Sequence, residues 1–126
     1  MAEAIYNKLT NTQDADSAGT HAEKPGETLG DRKKRIGGSY LVDLMTDKGY
    51  DVGRKVQTQL TKGMLEEYNL VINMAGKRYT PSWLSSAPNY AYWKIQDPTG
   101  RSYEITERIM IQIEAKIKEM IKDGNI

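Results

Sequence analysis

Cysteine is absent from all 126 residues. With it go disulfides, thiolate metal sites and any cysteine nucleophile supplied by this chain. Histidine is almost absent. His21 stands alone within Thr20-His21-Ala22-Glu23-Lys24-Pro25. One histidine without cysteine leaves zinc short of ligands, so no metal is expected, and His21 reads as an exposed loop residue. An excess of one charge sign is also missing: charged residues make up 28% of the chain, yet the net charge is +1. Proteins that neutralise many phosphates carry a marked basic excess, so neither nucleic acid nor an anionic membrane is expected as a partner. No apolar run is long enough to span a bilayer. No basic segment followed by an apolar run opens the sequence, so no signal peptide is expected and the cytoplasm is the expected setting. Phenylalanine is missing, and the apolar fraction of 38% suits a small core. No repeat at solenoid periods is visible. The length fits one domain, residues 1–126.

What is present is periodic. Ile105, Ile109, Ile113, Ile117 and Ile121 recur every fourth residue, flanked by Met110 and Met120. This predicts an amphipathic helix with Ser102 as N-cap, Glu104 and Glu107 in its first turns, and Lys122 with Gly124 at its end. Glu104–Arg108 and Glu114–Lys118 have the spacing of supportive ion pairs. Leu70–Met74 and Tyr90–Ile95 read as short buried strands, and Ala15–Ala18, closed by Gly19, as a weaker one. Ser39 is a candidate cap for a helix carrying Leu41, Leu44 and Met45 and ended by Gly49. Thr61 is a candidate cap for a short helix with Met64, Leu65 and Tyr68, and Pro81–Ser85 suggests one helical turn. The segment Glu23–Gly38, rich in glycine and charge, reads as a loop. Strands alternating with helices argue for an α/β domain with a parallel sheet.

Two features sit badly with a complete sheet. Helical periodicity starts at once, with Met1, Ile5 and Leu9 on one face, so no residue is left to cap the helix. The free α-amino group would also lie at the positive end of the helix dipole. In addition, only two convincing strands are available where a parallel sheet wants several. One reading is that an initial strand and turn have been lost, and the other is a natural N-terminal helix that frays.

Five segments, in order, resemble the low-molecular-weight protein tyrosine phosphatase family and its arsenate reductase relatives. Met1-Ala2-Glu3-Ala4-Ile5-Tyr6-Asn7-Lys8-Leu9 is similar to the family's first helix, which there follows a Cys-x5-Arg-Ser phosphate loop. Asp16-Ser17-Ala18-Gly19-Thr20 is similar to the second strand and its end. Leu60-Thr61, continued by Leu65, resembles the "L-T-x-x-x-L" helix. Leu70-Val71-Ile72-Asn73-Met74 resembles the third strand, and Tyr92-Trp93-Lys94-Ile95-Gln96-Asp97-Pro98 the fourth strand and Asp-Pro loop. The resemblance implies a three-layer α/β fold, phosphotyrosine phosphatase I-like, with parallel strand order 2-1-3-4 whose first strand is missing here. The site would lie beyond the carboxyl ends of the strands. The implied chemistry is phosphomonoester hydrolysis through a phosphocysteine, without a cofactor. Backbone N–H groups and a helix N-terminus hold the phosphate, and an aspartate protonates the leaving oxygen. Carried over by position, Asp97 is the implied general acid, although Asp-Pro is by itself a common turn. Ser17 is the implied support of the phosphate loop, or else a strand-end serine satisfying nearby backbone.

The departures bear on activity. The nucleophile, its loop and its arginine have no counterpart, so this chain is predicted to be inactive as it stands, an N-terminally truncated domain or a pseudophosphatase that binds a partner. No G-x-S-x-G or serine–histidine pairing offers a substitute. Thr99-Gly100 stands where many tyrosine phosphatases of the family place aromatic residues, which shifts weight towards the arsenate reductase branch. The thioredoxin-coupled members of that branch need a cysteine relay, and it is absent. Asp31-Arg32-Lys33-Lys34-Arg35 reads as a solvated charged loop or as a docking patch for a phosphorylated partner. A completed domain would take a phosphorylated protein or a small phosphomonoester, and a sheet edge left open would allow two chains to associate.

Overall fold

The computed structural model describes residues 1–124. Helix α1 spans Ala2–Thr10, α2 Leu29–Ile36, α3 Leu41–Asp47, α4 Ser82–Ser85 and α5 Tyr103–Lys122. Strands β1, Val71–Asn73, and β2, Tyr90–Tyr92, pair in parallel, with Val71 opposite Tyr90, Ile72 opposite Ala91 and Asn73 opposite Tyr92. Short 3-10 turns cover Lys62–Glu67 and Lys77–Tyr79. The expected α/β architecture with a small parallel sheet is therefore found.

The core lies where α1, α3 and α5 meet. Ile5, Leu44, Met45, Val52, Ile109, Met110, Ile113 and Ile117 form one buried cluster, with Met74, Trp93 and Ile95 packed against it from the sheet side of the chain. Within the isoleucine stripe Ile109, Ile113 and Ile117 carry the packing, while Ile121 is exposed. A helical stripe drifts across a flat contact, so its ends leave the core first. Thr106 is fully buried yet satisfied, since its hydroxyl donates to the Ser102 carbonyl at 2.8 Å. Ser102 caps α5 as expected: its Oγ accepts from the Ile105 N–H at 3.2 Å. Ser102→Ala is expected to cost about 1 kcal/mol in urea unfolding, the typical worth of such a cap, and an unchanged midpoint would refute the cap's role. Of the two expected ion pairs on α5, Glu114–Lys118 forms at 2.9 Å. Glu104–Arg108 does not form among the described residues, and Glu107 pairs instead with Lys48 at 2.8 Å.

The start of α5 is also pinned to α3. The Tyr103 hydroxyl donates to the Asp47 carboxylate at 2.7 Å, and this acceptor pushes the phenol up to about 12. The bond favours the neutral phenol. Its stabilisation is therefore complete below the ordinary tyrosine value of 10.0 and is lost as pH rises through about 12. Tyr68, bonded to Asp16, and Tyr50, raised mainly by burial, are also pushed up, so ultraviolet titration of the folded chain should show a late-ionising set of tyrosines from which Asp47→Asn removes one. A titration unaltered by that substitution would contradict the bond.

Several expectations need correction. Residues 23–38 are not simply a loop, because Leu29–Ile36 form α2, capped by the Thr28 hydroxyl accepting from the Asp31 N–H at 3.0 Å. Leucine, arginine and lysine are good helix formers, but α2 has only two large apolar residues, too few to show a period. Residues 15–18 are not a strand. Gly19 makes a single parallel bridge with Gln59. The Asn7 side chain takes both backbone groups of Ala15, donating to its carbonyl at 3.1 Å and accepting from its N–H at 2.9 Å. A strand needs a neighbour to satisfy its backbone, and a side-chain clamp supplies that satisfaction here. Ser39 is not the N-cap of α3, a position held by Tyr40, yet its hydroxyl accepts from the Leu41 N–H at 3.2 Å. Thr61 precedes a 3-10 turn without a side-chain cap. Of the α1 stripe, Ile5 is buried but Leu9 is exposed.

Candidate functional site

The Asp-Pro loop follows β2, and its conformation is set locally. The Asp97 Oδ1 accepts from the Thr99 N–H at 2.9 Å, closing an Asx turn. Gly100, at φ +74, donates its N–H to the Gly38 carbonyl at 2.6 Å, fastening the loop to the segment between α2 and α3. That left-handed conformation is open to glycine at little cost. Asp97 is exposed, with its second carboxylate oxygen free of side-chain partners among the described residues.

Asp97, Pro98 and Thr99 line a cleft of about 550 Å³ together with Ala18, Gly19, His21, Gln57 and the α2 residues Arg32 and Lys33. The wall at 18–22 is held by Gln59, whose side chain accepts from the Ala22 N–H at 2.9 Å and donates to the Thr20 carbonyl at 3.0 Å. The Gly19 N–H donates to Thr58 at 2.8 Å and the Leu60 N–H to Gly19 at 2.8 Å. His21 is exposed at the rim, as the sequence implied, with its ring stacked on Tyr79 at 6.1 Å between centroids.

Backbone bonds hold helix α2 beside the cleft. Segment 26–30 pairs irregularly with segment 53–57: Leu29 donates to Lys55 at 2.9 Å, Gly30 to Gly53 at 2.8 Å, and Gln57 to Glu27 at 2.8 Å. A Cβ at position 30 would lie 2.9 Å from the Gly53 carbonyl oxygen, so the approach requires glycine.

Ser17 lies outside the residues lining this cleft, although its neighbours Ala18 and Gly19 line it. Its hydroxyl donates to Glu3 in the first turn of α1 at 3.2 Å. The other carboxylate oxygen of Glu3 holds the Lys55 ammonium at 2.7 Å. Glu3 and Lys55 carry no sequence signal that links them, being 52 residues apart, and only the fold brings them together. The Met1 α-amino group is pushed down mainly by burial, with Lys55 adding and Glu3 opposing. The first turn of α1 thus gathers a serine hydroxyl, a carboxylate and an ammonium. Among the described residues no three histidine, aspartate or glutamate side chains gather as a metal site, and no helix is long and apolar enough to cross a membrane.

No protein-family model and no curated protein matches the sequence. Among solved structures, Vibrio vulnificus Wzb in complex with benzylphosphonate superposes with a TM-score of 0.73 at 20% identity, covering 97% of this chain and 87% of that one. Wzb is a low-molecular-weight protein tyrosine phosphatase. The chain has that phosphatase fold. The likeness extends to the open parallel sheet and to nearly the whole of the present sequence. In a phosphatase-like fold the carboxyl ends of the parallel strands are where ligands of open α/β sheets bind, and the Asp-Pro loop follows the carboxyl end of β2.

Proposed function

We propose that the chain is a phosphatase-like domain for phosphorylated cytoplasmic partners that supplies the general acid, Asp97, but no nucleophile. One observation carries this reading: Asp97 follows the carboxyl end of a parallel strand in a low-molecular-weight phosphatase fold, and the cleft it lines is walled by Ala18 and Gly19. The exposed carboxylate suits proton delivery to a leaving oxygen. Ser17, held to the first turn of α1, suits the support of a phosphate loop placed at that helix end. In the complete chemistry a thiolate attacks phosphorus and the alcohol leaves with the proton of Asp97. Water then attacks the phosphocysteine, its proton passing to Asp97, to release phosphate and regenerate the thiolate. With no cysteine anywhere in the sequence, the 126 residues alone have no group for the first step. The chain by itself is expected to leave a generic aryl phosphate intact at mildly acidic pH, and steady turnover by the purified chain would overturn the assignment.

The lack of a nucleophile also favours a second reading, a pseudophosphatase whose cleft binds a phosphorylated partner without hydrolysing it. It requires cooperative unfolding of the isolated chain. A molten chain without a sharp transition would exclude it. The arsenate reductase-like alternative draws support from Thr99-Gly100, which puts no aromatic ring beside Asp97, but the missing cysteines stand against a disulfide relay.

A further inference from the structure

The Asp-Pro loop owes its shape to itself and its place to another segment. Within it, the Thr99 N–H donates to Asp97 Oδ1 at 2.9 Å and the Arg101 N–H to the Pro98 carbonyl at 3.1 Å. Both bonds are internal, so they shape residues 97–101 without fixing where that unit stands. Among the described residues one hydrogen bond leads out of it, from the Gly100 N–H to the Gly38 carbonyl at 2.6 Å. Gly38 is itself anchored on both sides. Its neighbour Gly37 closes α2 by donating its N–H to the Lys33 carbonyl at 2.9 Å. Helix α3 begins at Leu41, and its Leu44 and Met45 are fully buried in the core. Gly37, Gly38 and Gly100 take φ of +60, +78 and +74. A Cβ at position 38 or 100 would meet nothing within 4 Å, so the glycines are not there to save room. They are there because the left-handed backbone is costly for other residues.

We propose that Gly38 is a positioning residue for Asp97: by holding the Gly100 N–H, its carbonyl sets the Asp97 loop in place against the α2 wall of the cleft, where Arg32 and Lys33 lie. That role rests on the reading of Asp97 as the general acid, and Gly38 touches no substrate. A general acid must stand within hydrogen-bond reach of the oxygen it protonates. A loop free to swing would meet that geometry only part of the time. The carboxylate suits such control. Thr99 holds Oδ1, and the other oxygen stays free of side-chain partners among the described residues. Placing the loop therefore places the oxygen that would carry the proton.

The test uses the 126-residue chain and two variants, Gly38→Val and Gly100→Val, because a β-branched residue resists positive φ. Gly124→Val puts the same strain at the end of α5, where φ is +70, and serves as control. Amide exchange at residue 100, corrected for its intrinsic rate, should be about tenfold faster in both variants, the factor for one hydrogen bond of ordinary net worth. Residual dipolar couplings of the N–H groups of residues 99–101 should fit the alignment of α3 in the unaltered chain and collapse in both variants, while those of α3 persist. In Gly38→Val the Thr99 N–H should stay protected, because the turn keeps its shape and loses only its place. Unchanged couplings, an equal collapse in Gly124→Val, or loss of Thr99 protection in Gly38→Val would overturn the assignment. If Gly38→Val does not fold, the couplings of Gly100→Val decide alone. No ester is present in this experiment, so an unaltered loop would leave the phosphatase reading standing. A completed domain that proved inert would, in turn, leave the Gly38–Gly100 tie intact and remove only the acid that it places.

Discussion

Ile113→Ala is expected to destabilise the domain by about 2–5 kcal/mol, the usual cost of emptying a packed aliphatic site, whereas Ile111→Ala should stay within about 0.5 kcal/mol. The two residues share a helix and a side chain, so helix propensity changes equally in both. They differ in burial: Ile113 is 4% exposed and Ile111 is 61% exposed. Ile113 sits in the cluster where α5 meets α1 and α3, and those three helices hold most of the buried apolar surface. Domains of this size have a total stability of about 5–15 kcal/mol, so the larger loss would take a substantial part of it. Urea unfolding of the two variants measures the difference. Equal midpoints would mean that α5 is not packed as described, and the fold assignment would lose its foundation.

The second large effect concerns Asp97. In a domain completed by a strand and a Cys-x5-Arg loop joined ahead of Met1, Asp97→Asn is expected to lower kcat by about a hundredfold to ten-thousandfold, the range for a lost general acid. The loss should be greatest for alkyl phosphates and smallest for nitrophenyl phosphate, whose leaving oxygen needs little help from a proton. This dependence separates chemistry from structure, because a damaged fold would slow all esters alike. Asparagine also keeps the side-chain oxygen that accepts from the Thr99 N–H, so the turn survives the substitution. A uniform fall across leaving groups would remove Asp97 from the proton-transfer step.

Long periodic elements were legible in the sequence. The α5 stripe, its Ser102 cap and its Lys122 end follow from helical spacing and capping chemistry, and both parallel strands announced themselves as short apolar runs between turn residues. What escaped was set by tertiary partners. Helix α2 has good helix formers without an apolar period, and it is fixed by a backbone ladder to residues 53–57 that no local pattern reveals. Residues 15–18, a strand expectation with no β-branched or aromatic residue behind it, form no strand, and the Asn7 clamp takes the backbone of Ala15. At the candidate site, the Asp97-Pro98 turn could be read from the sequence because a turn before a helix is a local feature. Arg32 looked like one charge in a solvated run until the fold set it into the same cleft. The Glu3–Lys55 pair depends on a contact between residues 52 apart and left no sequence trace.

The measurement that bears most directly on the proposed phosphatase-like domain without a nucleophile of its own is hydrolysis of an aryl phosphate by two proteins side by side: the 126-residue chain, and the same chain preceded by a strand and a Cys-x5-Arg loop. The first should show no turnover. The second should turn over at mildly acidic pH and lose that activity when the added cysteine becomes serine. Turnover by the chain alone, or a folded extended protein that remains inert, would contradict it.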